Sequence, residues 1–212
     1  SYLEAARLPR LVQPFIQRVS AQCGHTVNVS VLDDHEVVYI ARSAPPRWLT
    51  IGYGVGVRVP AHVVTPGYVI LATFDDAALD TWIAAHEFAS FTARSVTDPK
   101  QFRAQIKQSR ALGHWHSEQA LDAGLRGMSL ALIDRKGRCR GALVGHIGLE
   151  HQPDAELLAA RLQDVEEPLA ADAAEAVTAG PDRPAAEVHL DVVPVVERPG
   201  DLARRLGIRR LE

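Results

Sequence analysis

The chain has 212 residues, 47% hydrophobic and 23% charged, with a formal net charge of −3. This is the composition of a globular domain with a full core, and it excludes a direct nucleic-acid interface, which requires a basic stripe. Cys23 and Cys139 form neither a disulfide framework nor a CxxC motif. Without a signal-peptide pattern or an apolar run of membrane-helix length, we expect a cytoplasmic protein with no membrane partner.

The first elements are a helix and a β-hairpin. Apolar residues at helical spacing from Leu8 to Val19 predict a helix that ends at Gly24, with Pro9 and Pro14 limiting its start or bending it. Because the chain begins inside this pattern, we expect a fragment of a longer protein. Valines then alternate with polar residues from residue 26, and the sequence Asp-Asp-His at 33–35 predicts the hairpin turn. Residues 47–60 follow as a glycine-punctuated strand and loop.

Three helices are predicted next. The first has Thr65 as its N-cap and Pro66 at its first helical position, the second is capped by Asp75 or Asp76, and the third runs from Asp98 to Gly113. Strands follow at residues 114–117, 127–134 and 138–148, then a long helix from near residue 153. This order predicts an α+β domain over residues 1–178, with an antiparallel sheet and helices on one side. Residues 179–212 are predicted to be an irregular C-terminal extension with a short helix.

The strand alternation separates two faces of the sheet. Gly127, Ser129 and Ala131 share one face opposite Met128, Leu130 and Leu132, and the larger set is expected in the core. Ala142, Val144 and His146 share a face opposite Cys139, Leu143 and Ile147. The small side chains leave room for a cavity, so His146 is either a ligand-contacting residue or a half-buried structural histidine.

Two other classes of function stay open at this point. His114 and His116, at spacing i, i+2, could share a metal with His62 or His146 in a metal-dependent enzyme, although no carboxylate or cysteine pattern accompanies them. The domain could also dimerise without any ligand. Nucleophilic catalysis is not indicated, because the chain has no GxSxG motif.

Three segments together resemble one family. They are LPRLVQPFIQRVSAQCGHTVNVSVLDDHEVVYIAR, GVRVPAHVVTPGYVILA and VTDPKQFRAQIKQSRALGHWHSEQALDAGLRGMSLALIDRKGRCRGALVGHIG. In this order they resemble the effector-binding domain of IclR-type bacterial transcriptional regulators, and the resemblance covers about residues 3–175.

The resemblance implies a GAF-like α+β fold whose curved sheet holds a small organic acid effector. It also implies a homodimer or homotetramer that reaches DNA through a winged helix-turn-helix absent from this chain. We assign no cofactor and no metal ligands. We expect the effector carboxylate at the helix start, with donors on the sheet. The predicted effector-binding residues are Thr65, Pro66, Gly67, Tyr68, Ser117, Gly127, Ser129, Val144 and His146.

These positions depart from the family's common pattern. Members that bind small oxo-acids often have an acidic residue at the position of Ser117, cysteine or serine at Gly127, and serines at Val144 and His146. The loss of hydroxyl groups and of bulk at Gly127 implies a roomier, more apolar pocket. We therefore expect an aromatic or alicyclic acid rather than a two- or three-carbon acid.

Overall fold

The computed structural model describes residues 2–45, 53–122, 124–134 and 136–148. These residues form an α+β fold with the elements α1 (Tyr2–Cys23), β1 (Thr26–Asp33), β2 (Glu36–Ser43), β3 (Arg58–Pro60), a 3-10 helix (Ala61–Val63), α2 (Thr65–Leu71), α3 (Asp76–Ala85), α4 (Pro99–Leu112), β4 (His114–Glu118), β5 (Leu125–Ile133) and β6 (Cys139–Gly148). The predicted helix near residue 153, the predicted extension and residues 47–52 of the predicted strand and loop lie outside the described residues.

The six strands form one antiparallel sheet in the order β3-β2-β1-β6-β5-β4. The hairpins β1–β2 and β5–β6 meet in the middle, where Thr26 pairs with His146. The register shifts between Val29 and Ser30 and between Leu132 and Ile133. Such bulges bend strands, and they occur on both hairpins of this curved sheet. The predicted fold class is therefore confirmed.

Helices cover both faces of the sheet, so the prediction of helices on one side is wrong. The α1 residues Phe15 and Ile16 pack against Val29 and Leu130 on one face. On the other face, α2, α3 and α4 pack against a second set that includes Val144. The polar residues of β1 do not mark a solvent face, because this strand is central and both of its faces are covered.

Helix α1 continues through Pro9 and Pro14, so these prolines do not limit where it begins. A proline inside a helix removes one backbone hydrogen bond and costs about 3 kcal/mol. The apolar stripe of α1, which includes the buried Val12, Ile16 and Val19, stabilises the helix against this cost. The helix ends as predicted, at Gly24, whose φ is 70°. None of the described helices is long and apolar enough to cross a membrane.

The predicted helix caps are confirmed at two of three sites. The Asp75 carboxylate accepts from the Ala78 N–H at 2.7 Å, and Asp98 accepts from the Lys100 N–H at 2.9 Å. The prediction that Thr65 caps α2 is wrong. Val64 occupies the N-cap position without a side-chain hydrogen bond, and Thr65 is the first helical residue.

The two faces predicted for β5 are confirmed. Met128 and Leu130 pack in the core under α1, and Ala131 packs under α2. The prediction for Cys139 is wrong, because it packs with Ala142 on the α2 face. The register shift near Leu132 and Ile133 adds a residue to β6, which breaks the two-residue alternation before Gly141.

Gly67 holds α2 against the 3-10 helix. A Cβ atom at this position would lie 2.0 Å from the Ala61 carbonyl oxygen, and both residues are buried. The absence of a side chain at Gly67 therefore permits the backbone contact that places residues 63–65 over the sheet.

Candidate functional site

A small cavity lies between the curved sheet and the start of α2. Its volume is about 30 Å³, which is room for about two water molecules. Its lining comes from strands β2, β4, β5 and β6, from the 3-10 helix and the start of α2, and from two loops. It consists of Tyr39, Tyr53, Val63, Val64, Thr65, Ser117, Ala120, Leu121, Asp122, Leu125, Gly127 and His146.

Three lining residues form a row across the sheet. Ser117 on β4 pairs with Gly127 on β5, which pairs with His146 on β6. Adjacent strands lie about 4.8 Å apart, so the backbones of Ser117 and His146 are about 10 Å apart. Thr65 lies over the middle of the row, where a Cβ on Gly127 would be 3.1 Å from its Oγ1. Both ends of this row therefore carry a polar side chain, and its centre carries none.

The end of the cavity at His146 contains buried polar atoms that lack partners. Both ring nitrogens of His146, the Tyr39 hydroxyl oxygen and Asn28 Oδ1 have no hydrogen-bond partner among the described residues. The ring centroids of Tyr39 and Tyr53 each lie 5.9 Å from that of His146. Because native proteins leave few buried polar groups unpaired, these atoms are available to bond to a polar group that enters this end.

His146 is uncharged at neutral pH. Burial, with a smaller contribution from the positive charge of Arg42, lowers the pKa of His146 to about 3. A neutral imidazole offers one donor and one acceptor. Burial also raises the pKa of Tyr39, so its hydroxyl group stays protonated and can both donate and accept. The arrangement therefore favours a neutral ligand group that can donate and accept, such as a hydroxyl.

Tyr53 closes the outer side of the cavity. Its carbonyl oxygen accepts from Asn28 Nδ2 at 2.8 Å and from Arg42 Nη1 at 2.6 Å, which fixes its backbone. Its hydroxyl group donates to Asp122 Oδ2 at 2.6 Å, at an exposed site. Burial, and then the bond to Asp122, raise the pKa of Tyr53. The ring thus forms a wall that a single exposed side-chain bond connects to the 120–122 loop.

The structure brings four of the nine predicted effector residues to the cavity wall, namely Thr65, Ser117, Gly127 and His146. The other five do not line it: Pro66, Gly67, Tyr68, Ser129 and Val144.

Packing explains where these five side chains lie. Tyr68 stacks on Trp115 with centroids 5.0 Å apart, and its hydroxyl group donates to Gln105. The Ser129 hydroxyl lies 2.6 Å from Thr65 Oγ1 and ties β5 to α2. Pro66 and Val144 are buried in the same layer, and the Gly67 N–H donates to the Val64 carbonyl.

Sequence reasoning missed three polar or aromatic residues that line the cavity: Tyr39, Tyr53 and Asp122. It also missed Asn28, which does not line the cavity but bonds to the Tyr53 carbonyl. Tyr39 could have been predicted, because it lies two residues after Val37 and therefore shares the buried face of β2 with it. Asn28 could have been placed on the His146 face only with the β1–β6 register. Tyr53 and Asp122 lie in loops, where no periodic pattern indicates which way a side chain points.

The histidines proposed as metal ligands do not converge. His62 lies outside the cavity lining, with Nδ1 2.7 Å from Nε2 of His86. His114 is buried and contacts the Leu112 carbonyl, whereas His116 is exposed. Within the described part of the chain, no group of three or more histidine, cysteine or acidic residues could hold a metal ion. The geometry of these residues does not support the metal-enzyme alternative.

Several known proteins are similar to this chain in sequence and in fold. The Pca regulon regulatory protein of Pseudomonas putida is 33% identical over 144 residues, 68% of this chain and 50% of that protein. The p-hydroxybenzoate hydroxylase transcriptional activator of Acinetobacter baylyi is 31% identical over 148 residues, 68% of this chain and 55% of that protein. The chain thus spans about half the length of these curated relatives.

A solved structure extends the similarity to three dimensions. The inducer-binding domain of a double mutant of the PobR transcription factor from Acinetobacter, in complex with 3-hydroxybenzoic acid, matches with a TM-score of 0.69 at 25% identity. The match covers 74% of this chain and 94% of that chain.

The sequence model of the family described as "Bacterial transcriptional regulator IclR C-terminal" matches residues 1–168. This match covers every element described above, including the whole cavity. The chain therefore belongs to the family of IclR-type bacterial transcriptional regulators, of which it contains the C-terminal, GAF-like effector-binding domain.

Proposed function

We propose that this domain senses a hydroxylated aromatic acid in the cavity beside α2. The observation that carries the proposal is the pair of unpartnered nitrogens on the buried, neutral His146. A phenolic hydroxyl group can accept a hydrogen bond from the N–H of His146 and donate one to a nearby acceptor such as the Tyr39 hydroxyl oxygen. A carboxylate can only accept. The names of two relatives, one an activator for p-hydroxybenzoate hydroxylase and one an inducer domain bound to 3-hydroxybenzoic acid, support the same ligand class.

The row across the sheet supports a para arrangement of the two polar groups. Ser117 stands at the end opposite His146, with Gly127 between them. With the hydroxyl group of the ligand at His146, its carboxylate would accept from the hydroxyl groups of Ser117 and Thr65. The backbone at the helix start offers little to an anion, because the Gly67 N–H is already bonded and Pro66 has none. We therefore expect the carboxylate at Ser117 on β4 rather than at the helix start.

The size of the cavity requires a side chain to move when such a ligand binds. A cavity of about 150 Å³ holds a benzene ring, about five times the volume of 30 Å³ found here. Tyr53 is the wall residue best placed to swing out, because one exposed bond to Asp122 holds its ring. Once displaced, the ring of Tyr53 can pack on the ligand ring in place of its contact with Tyr39.

In the full-length cytoplasmic regulator, effector binding would favour one of two subunit arrangements of a homodimer or homotetramer. The spacing of the DNA-binding domains would then change, which couples the ligand to DNA affinity. DNA binding by the full-length protein with and without 4-hydroxybenzoate tests this step.

Calorimetry on the domain tests the ligand class. We expect 4-hydroxybenzoate to bind more tightly than benzoate, and glyoxylate not to bind. His146→Phe keeps a ring but removes both nitrogens, so it should reduce the preference for 4-hydroxybenzoate over benzoate about tenfold, the effect of one buried hydrogen bond. His116→Asn, on the exposed side of β4, is the matched control and should keep the preference. Binding of glyoxylate alone would refute the proposed ligand class. Binding of no acid at all would refute the proposal and favour a ligand-free dimerisation module.

A further inference from the structure

Three histidines outside the cavity form a continuous hydrogen-bonded chain. His35 lies in the β1–β2 turn, His62 in the 3-10 helix and His86 directly after α3. His86 Nδ1 lies 3.2 Å from His35 Nδ1, and His86 Nε2 lies 2.7 Å from His62 Nδ1. His62 Nε2 in turn lies 2.9 Å from the carbonyl oxygen of Ala89. We call this set the histidine chain.

The carbonyl group at one end fixes the direction of every bond. Because the Ala89 oxygen only accepts, His62 Nε2 must carry a hydrogen, and Nδ1 of a neutral His62 is then an acceptor. His86 donates to it through Nε2 and accepts through Nδ1 from His35. In the neutral chain, each bond therefore has one donor and one acceptor. The outer nitrogen of His35 is left over, and it lies 3.7 Å from Asp34 Oδ1.

The intact chain has room for one additional proton. His35 can take it on its outer nitrogen, beside the Asp34 carboxylate, without breaking a bond. A second proton would place two N–H groups face to face between neighbouring rings, so one of the two bonds between histidines must break. Of the described residues, Asp34 is the one carboxylate in ionic contact with the chain. The aromatic rings packed on His62 and His86 are those of Trp82, Phe88 and Phe91, and these rings carry no charge.

The histidine chain holds the segment that forms the cavity wall. The Ala61 N–H donates to the His35 carbonyl at 3.0 Å, so the 3-10 helix is tied to the β1–β2 turn by backbone as well as side chain. Trp82 Nε1 donates to the Asp34 carbonyl at 2.9 Å, which joins α3 to the same turn. The next residues, Val63 and Val64, line the cavity.

We propose that the histidine chain is an acid-sensitive clasp, which opens when a second proton enters it and then releases the 3-10 helix, part of the cavity wall, from the β1–β2 turn and the end of α3. Burial, with smaller contributions from the neighbouring histidines, lowers the pKa of His86 to about 4. Burial also lowers the pKa of His62. At pH 7 both inner rings are therefore neutral and the clasp is closed.

The sign of the pH effect follows from the unfolded chain, in which each histidine titrates near pH 6.5. Above that pH, both states are neutral and the clasp contributes its full stability. As the pH falls from about 6.5 towards 4, the unfolded state binds more protons than the folded clasp does. The free energy of unfolding therefore falls. Near pH 5.5, unfolding should therefore take up protons at His62 and His86.

Urea unfolding of the whole chain at pH 7.5, 6.5 and 5.5 tests the clasp without any ligand. In His86→Phe, the ring remains for stacking but the titrating link is lost, so proton uptake on unfolding should fall by about one. The control His116→Asn removes an exposed histidine outside the chain, so its pH dependence should stay closer to that of the wild type than to that of His86→Phe. Equal pH dependence in His86→Phe and the wild type would overturn the proposal.

Hydrogen exchange in the wild type provides a second test that needs no variant. After correction for intrinsic rates, protection of the Ala61 amide should fall between pH 7.5 and 5.5 relative to that of Leu130 in β5. Constant protection of Ala61 would overturn the clasp. A loss of effector affinity over the same pH range is expected as well, but only this consequence rests on the proposed function. If no aromatic acid binds while the Ala61 amide responds, the proposed function fails and the clasp stands.

Discussion

Substitution of Gly67 by alanine tests how the cavity wall is held. The Cβ atom of alanine would lie 2.0 Å from the oxygen, 2.7 Å from the carbonyl carbon and 2.9 Å from the Cα atom of Ala61. All three are backbone atoms of a buried 3-10 helix, so no side-chain rotation can relieve the overlap. Either α2 or the 3-10 helix has to move.

The expected loss of stability follows from two opposing effects. Overpacking a core costs about 1–3 kcal/mol, and a backbone overlap this close belongs at the upper end, about 3 kcal/mol. Alanine regains about 1 kcal/mol, because it favours the helix over glycine by that amount. The net loss is about 2 kcal/mol, or roughly 4–8 °C in Tm for a domain of this size.

Urea denaturation at pH 7.5 measures this loss, with two other glycines as references. Gly54→Ala meets no atom within 4 Å and should be neutral. Gly127→Ala meets the rotatable Thr65 hydroxyl at 3.1 Å and should fall between the other two variants. If Gly67→Ala unfolds at the same urea concentration as Gly54→Ala, the contact between α2 and the 3-10 helix does not constrain the fold as argued.

Three further variants test separate features. Asp75→Ala removes the N-cap of α3 and should cost about 1 kcal/mol in urea denaturation; an unchanged midpoint would contradict the capping role. Tyr53→Phe breaks the exposed bond to Asp122 at a cost below about 1 kcal/mol, and stopped-flow mixing with 4-hydroxybenzoate should show faster association and dissociation; identical rates would exclude Tyr53 as the moving wall. His146→Phe removes a histidine whose pKa is lowered to about 3, so the stability that the wild type loses as the pH falls from about 6.5 should shrink. A pH profile that matches the wild type would show that the pKa of His146 is the same in the folded and unfolded states.

Local patterns in the sequence predict much of the fold. Asp75 and Asp98 precede helices because a carboxylate can accept from the free N–H groups of a first turn. Met128 and Leu130 alternate with Gly127 and Ser129 because successive residues of a strand face opposite ways. Where a bulge interrupts the strand, the alternation fails, which is why Cys139 lies on the unexpected face.

Contacts between distant segments could not be predicted from one sequence. Thr65 is a good N-cap residue by type, but its hydroxyl group bonds to Ser129, 64 residues away. Tyr53 and Asp122 meet across 69 residues, and His35 and His86 across 51. No local period links such pairs, so they follow from the sheet register and helix packing alone. The family resemblance indicated Thr65, Ser117, Gly127 and His146, because the matching motif positions in other members already reflect this register and packing.

The pairing of β1 with β6 determines when the cavity can form during folding. Each hairpin is local in sequence, but Thr26 and His146 pair across almost the whole described chain. Contacts of such long range form late, because the chain must first close a large loop. The hairpin β1–β2 supplies Tyr39 and the hairpin β5–β6 supplies His146. A chain emerging from the ribosome therefore lacks this cavity until β6 has been synthesised and has joined β1, so the proposed effector site exists only in a finished domain.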